Sequence, residues 1–269
     1  MAPQAFELRI PDTAIADLKS RLSLTRFPDA APGEPWAYGS SVDYVRDLVS
    51  YWKDIFDWRA QEAALNVFPQ FKVPLHDIDL HYLHVPGVGP NPYPLLLLHG
   101  WPGSVFEFLD IIARLTDPAR FGGDPKDAFT VIAPSLPGYG LSFRPGQKRF
   151  TLQDIADCLH DLMTKILGVQ KFAAQGGDWG AGVASLIGQK YPSSVCGIHL
   201  NLTIRAARQD HRAFGERNAI RRATCALAQR RNRVSTNSRH QTADTGLRPH
   251  RFSSRSGRLD CRKVPLIVR

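Results

Sequence analysis

The chain has 269 residues, enough to bury a full core as one large α/β domain or two small ones. Its formal net charge of +9 arises at the far end: residues 1–204 carry 17 Lys and Arg against 21 Asp and Glu, whereas residues 205–269 carry 17 against 4. Cys158, Cys196, Cys225 and Cys261 are scattered without CxxC or Cys/His ligand spacing, so neither a disulfide framework nor a zinc site is indicated.

In chain order, "FELRIPDTAIADLKSRLS" predicts a helix that Asp12 can cap, with Ile15, Leu18 and Leu22 at helical spacing. A Pro- and Gly-rich connection follows. A second helix is expected from about Val42, where Val45, Leu48, Val49, Trp52 and Phe56 form a broad apolar face that must pack on something larger. From residue 71 the period changes to two, and "DIDLHYLHV" predicts a half-buried strand. "YPLLLLHG" predicts a fully buried strand, followed by a helix over about 104–116, a strand "FTVIAP", and a helix from Thr151 to Leu167. Thr151 with Asp154 matches a capping box and Gly168 a helix stop. A strand "KFAAQ", a helix from about Ala181 and a strand "CGIHLNL" complete the alternation. Strands alternating with helices imply a mainly parallel sheet covered on both faces.

Beyond Ile204 this order stops. Residues 205–269 hold 16 Arg against one Lys, and of the aromatics only Phe214 and Phe252. So little apolar surface predicts disorder. No apolar run approaches the roughly 18 residues of a membrane span, and "MAPQAFELRIPD" has neither the basic nor the apolar region of a leader. The expectation is a cytoplasmic protein without a transmembrane segment.

Two motifs carry chemistry. "LLLLHGWPGS" ends a buried strand in His-Gly-x-Pro, which places the backbone N–H of Trp101 where an oxyanion could be held; a plain Gly-Pro turn is the alternative. "KFAAQGGDWGAG" reads strand, Gly-x-Asp-x-Gly, helix. Such a turn lifts its central residue above the sheet edge and brings the Trp179 N–H beside that of Trp101. The central residue is Asp178 where a serine hydrolase carries Ser; the bland alternative is a helix N-cap. A carboxylate is already anionic at neutral pH, so it can attack a tetrahedral carbon without a base.

These residues resemble the α/β-hydrolase superfamily and, within it, the epoxide hydrolases of the microsomal type. "HGWPGS", "PSLPGYGLS" and "GGDWGAGVAS" are similar to that family's oxyanion loop, its loop after the next core strand, and its nucleophile turn. "FELRIPDTAIADLKSRLSLTRFP" and "WAYGSSVDYVRDLVSYWKDIFDWRAQEAALNVFPQF" resemble its N-terminal domain, and the likeness runs from residue 6 to about 203. It implies an α/β-hydrolase fold broken off after about its sixth strand, with a helical N-terminal domain over 1–75, a partial core over 76–204 and an Arg-rich tail over 205–269. It also implies a cofactor-free, metal-free addition of water to a small-molecule epoxide. Asp178 would be the nucleophile, and the Trp101 and Trp179 N–H groups the oxyanion donors.

The resemblance further implies two cap tyrosines, an acid and a His base, all after the nucleophile. Here 91 residues follow Asp178, and no Tyr occurs after Tyr191. His199 lies on a predicted strand and reads as a core or edge residue, His99 as structural or pocket-lining, and His211, His240 and His250 lie among Arg, Ser and Thr with no strand to fix them. An out-of-frame reading of a GC-rich gene explains such a tail, and little turnover is then expected. The sheet would end at "CGIHLNL" with an aggregation-prone edge. A haloalkane dehalogenase uses the same Asp chemistry, and a fragment whose basic tail binds polyanions without sequence specificity is the non-enzymatic reading.

Overall fold

The computed structural model describes residues 2–202 and the strand Leu266–Val268. The expectations of disorder and frameshift for residues 205–269 otherwise fall outside the described residues.

The N-terminal part opens with a two-residue strand, β1 (Gln4–Ala5), and three helices: α1 (Asp12–Ser23), α2 (Val42–Asp54) and α3 (Trp58–Asn66). Ser41 and Asp57 cap α2 and α3 by accepting from Tyr44 N–H and Ala60 N–H. Asp12 does not cap α1: the N-cap is Pro11, and the Asp12 carboxylate pairs instead with Arg59, which also binds Glu62. A charged partner on α3 outcompetes the backbone N–H groups. The broad apolar face of α2 is not buried as expected, for Leu48 and Trp52 are exposed and Val45, Val49 and Phe56 only half-buried.

The sheet continues with β2 (Gln70–Leu75), β3 (Ile78–Val85), β4 (Tyr93–Leu98), β5 (Phe129–Pro134), β6 (Phe172–Gly176), β7 (Val195–Leu200) and β8 (Leu266–Val268). Its order is β1-β2-β3-β5-β4-β6-β7-β8. The β1-β2, β2-β3 and β3-β5 pairs are antiparallel; β5-β4, β4-β6, β6-β7 and β7-β8 are parallel. The β2–β3 hairpin turns on His76 and Asp77 at φ 50° and 65°, the left-handed pair that matches strand twist. β7 is not the edge that was expected, because Leu266–Val268 pairs along it in register Ile198↔Leu266.

A short 3-10 turn (Val105–Phe108) leads into α4 (Leu109–Thr116), and α5 (Leu152–Asp161) starts at the expected Thr151–Asp154 capping box. The last helix, α6 (Asp178–Lys190), begins three residues earlier than its apolar pattern suggested. Helices cover both faces. Leu96 and Leu98 face Ile155, Leu159, Val183 and Ile187 of α5 and α6, while Leu95 and Leu97 face Val105, Phe108 and Ile112. One apolar run thereby feeds two cores, each fully buried Leu contributing about 1.5–3 kcal/mol. The same two-sided cover corrects the expectation for β3, where Leu80, His81, Tyr82 and Leu83 are all buried.

His81 is tied to its surroundings: Nδ1 lies 2.9 Å from Ser135 Oγ, Nε2 lies 3.0 Å from Gln70 Oε1, and its N–H donates to Ser142 Oγ. These bonds clamp the loop after β5. Burial, with Lys72 nearby, pushes the imidazole pKa down from 6.5 to about 3. The folded state therefore refuses a proton that the unfolded chain accepts. Stability from this group is complete above about pH 6.5 and falls as pH drops toward 3, by on the order of 4 kcal/mol. Denaturant melts between pH 7.5 and 4 will show this slope, and it will flatten in His81→Asn; an unchanged slope would refute the assignment.

Candidate active site

Asp178 stands at the junction of β6 and α6 with φ 50°, a left-handed conformation that costs an L residue roughly 1–2 kcal/mol. Three glycines make room for it. A Cβ on Gly176 would overlap the Gly180 carbonyl, one on Gly180 the Leu98 carbonyl, and one on Gly100 the Asp178 side chain. The N-cap of α6 is Gly177, with no side-chain capping bond, so the capping alternative for Asp178 does not hold. Its carboxylate is free to face solvent.

Asp178 Oδ1 accepts from the Trp101 N–H at 2.8 Å. Hydrogen bonds from Trp101 N–H and then Trp179 N–H hold the carboxyl below its ordinary range, so it is anionic at neutral pH. The two donors predicted from separate motifs, Trp101 and Trp179, both act on the Asp178 carboxyl. Oδ2 remains for attack. An alkyl group placed on Oδ2 would make Oδ1 an ester carbonyl oxygen held by the Trp101 N–H, where negative charge would develop if water added. Trp101 and Trp179 are exposed at the mouth, and the Trp101–Pro102 peptide is cis.

Two residues behind this turn were not singled out in the sequence for these roles. Tyr139, in the loop after β5, has its phenol pKa raised by burial and then by the charge of Asp178. The His99 ring meets the Tyr139 ring edge-on at 5.6 Å. His99 itself is 1 % exposed and structural rather than pocket-lining. The signal for Tyr139 was its place in "PSLPGYGLS", but only the fold brings that loop beside β6.

The remaining histidines do not complete the site. His199 lies on β7, paired on both sides, so it is an interior-strand residue rather than an edge one. His160 stacks on Tyr191 at 3.7 Å, and His76 binds Asp161. Tyr191 donates its hydroxyl to Asp157. Among the described residues no histidine hydrogen-bonds Asp178; His211, His240 and His250 lie outside them. A cavity of about 660 Å³ runs along the sheet face between Leu95, Leu97, Phe108, Ile111, Ala173 and His199; Asp178 does not line it.

Known proteins with this arrangement are recognisable. Residues 3–108 match the family described as "Epoxide hydrolase N terminus", and residues 93–255 match "alpha/beta hydrolase fold". A relative from Stigmatella aurantiaca is 45% identical over 199 residues, covering 74% of this chain and 45% of the relative. "Epoxide hydrolase 1" of Oryctolagus cuniculus is 41% identical over 203 residues, covering 74% and 44%. The solved structure of the Aspergillus niger epoxide hydrolase superposes with a TM-score of 0.67 at 33% identity, over 76% of this chain and 53% of that one. The juvenile hormone epoxide hydrolase of Bombyx mori gives 0.66 at 33%, over 75% and 53%. The chain thus spans less than half the length of these sequence relatives. No helix among the described residues is long and apolar enough to cross a membrane. The chain belongs to the α/β-hydrolase fold family, with the epoxide hydrolase N-terminal domain ahead of its hydrolase core.

Proposed function

We propose that Asp178 opens small-molecule epoxides, the whole reaction being addition of water to give a vicinal diol, with residues 1–75 as the N-terminal domain and 76–204 as the hydrolase core. The observation that carries this is the Asp178 carboxylate, raised on its turn with Oδ1 held by the Trp101 N–H. In the first step Oδ2 attacks an epoxide carbon, the ring C–O bond breaks toward oxygen, and that oxygen takes a proton from solvent. An alkyl ester on Asp178 results. In the second step water adds to the ester carbonyl carbon, and the Trp101 and Trp179 N–H groups hold the oxyanion, each donor contributing about 2.7–4 kcal/mol. The ester then collapses to diol and free carboxylate.

That second step needs a base at the ester. None of the described histidines meets Asp178, so in this chain the ester accumulates and diol release is slow. The reading rests on the site geometry together with the match to the epoxide hydrolase N-terminal domain.

Intact-mass measurement of the purified chain after incubation with styrene oxide, and separately with a bromoalkane of similar size, tests it. The expected result is a gain of one whole epoxide mass and no alkylation by the bromoalkane. Alkyl gain with bromide release would point to dehalogenation instead. Rapid Asp178-dependent diol formation would show that the chain completes the reaction after all.

A further inference from the structure

His99 stands outside the reacting atoms, yet its two ring nitrogens have opposite partners. Nδ1 lies 2.9 Å from the Gly100 carbonyl oxygen, and Nε2 lies 3.0 Å from the Leu136 nitrogen. A carbonyl can only accept and a backbone N–H can only donate. The ring is therefore neutral, with its proton on Nδ1, and Nε2 accepts from Leu136 N–H. Nearly complete burial favours the same uncharged form; of the charged groups, Glu107 acts on it.

The Gly100 carbonyl belongs to the same peptide unit as the Trp101 N–H. That peptide is trans, the cis bond being the next one, so its C=O and N–H point in opposite directions. Fixing the oxygen on one side fixes the N–H on the other, toward Asp178 Oδ1. A hydrogen bond accepted at the carbonyl also strengthens the N–H as a donor. The ring is itself anchored to the loop after β5 by Leu136 N–H and by its edge contact with Tyr139.

We propose that His99 is a positioning residue for the nucleophile: through its Nδ1–H to the Gly100 carbonyl it orients the Trp101 N–H that binds Asp178. It deepens the function proposed above, and its test is read with no epoxide present. A chain that forms no adduct thus overturns the function alone, and an insensitive Asp178 overturns the positioning role alone.

The experiment is an NMR titration of the Asp178 side-chain carboxyl, labelled with 13C and assigned by its absence in Asp178→Asn, in the full chain and two variants. His99→Asn sets an amide N–H near the Nδ1 position and keeps the bond to Gly100 O. His99→Gln sets an amide oxygen near Nε2 and keeps only the Leu136 bond. The expected result is an Asp178 pKa that stays low in His99→Asn and rises toward the ordinary carboxylate range in His99→Gln. The groups facing that carboxylate are the Trp101 and Trp179 N–H groups and the Tyr139 phenol; neither variant substitutes them, and both remove the ring contact with Tyr139 alike, so the difference between the variants reads the bond to Gly100. Equal titration in all three proteins, or an equal rise in both variants, overturns the proposal. Should His99→Gln not fold, long-range 1H–15N spectra of the unsubstituted ring decide: a proton on Nδ1 supports the assignment, and one on Nε2, or on both nitrogens at neutral pH, overturns it.

Discussion

Asp178→Asn will lose covalent adduct formation with an aryl epoxide by at least about a thousandfold, with the fold intact. Asn is the informative substitution because it has the same shape and, with Asp and Gly, is among the few residues that enter the left-handed region readily. At φ 50° a β-branched residue would add strain, so Asp178→Val would confuse lost chemistry with lost stability. The Asn side-chain oxygen can still accept from the Trp101 N–H, while the nucleophilic anionic oxygen is gone. Mass spectra before and after epoxide, with a thermal melt alongside, make the check. Persistence of the adduct in this variant would place the nucleophile elsewhere and sink the assignment.

The second large effect is on stability, and two glycines of one helix separate packing from propensity. Gly180→Ala sets a methyl into the backbone carbonyls of Leu98 and His99, and neither can move without displacing the end of β4 and the oxyanion loop it carries. A loss of about 3 kcal/mol or more is expected, together with adduct formation. Gly182→Ala, two residues on, meets only the Leu152 methyls at 3.5 Å and 3.6 Å, an ordinary contact. There the helix gains, by roughly 0.5–1 kcal/mol, from replacing Gly. Urea melts of the two variants should therefore move in opposite directions. A shift of the same sign in both would mean that the close approach of α6 to β4 is not what requires glycine.

These effects show how the site is assembled from ordinary parts. The turn at Asp178 is tight because three glycines let a helix, a strand end and a loop share the space that their side chains would fill. The strain at Asp178 is offset by the hydrogen bond its carboxylate accepts across the turn. His81 and His99, both buried and both bonded through both nitrogens, tie the loop after β5 to β3 and to the oxyanion loop. The machinery thus rests on loops fastened by neutral imidazoles, which is why acid should loosen the fold before the Asp178 carboxyl is protonated.

Much of this was legible residue by residue. "YPLLLLHG" is apolar at every strand position because both faces of β4 are covered, and a parallel interior strand leaves that mark. The Thr151–Asp154 box announces α5 because the bonds it makes are local. Gly-x-Asp-x-Gly announces the strand-to-helix turn at Asp178 because steric exclusion acts over five residues. The hairpin at His76 and Asp77 was not legible, since neither residue is the glycine that such a turn usually takes. The pairing of β8 was not legible either, being made with a strand more than sixty residues earlier in the chain. Asp12 was misplaced as a cap because its partner, Arg59, lies on another helix.

By itself, then, the sequence determined the alternation of strands and helices from "DIDLHYLHV" to "CGIHLNL", the burial of "YPLLLLHG" as a strand, and Asp178 as the residue raised on its turn. Each is a matter of local sterics or of period, which a short stretch of chain contains in full. Only the tertiary structure decided that both donors converge on the same carboxylate, that Tyr139 and His99 stand behind them, and that no described histidine hydrogen-bonds Asp178. Those facts depend on distances between segments tens of residues apart, and such distances are set by how the sheet closes its register rather than by any segment's own preference.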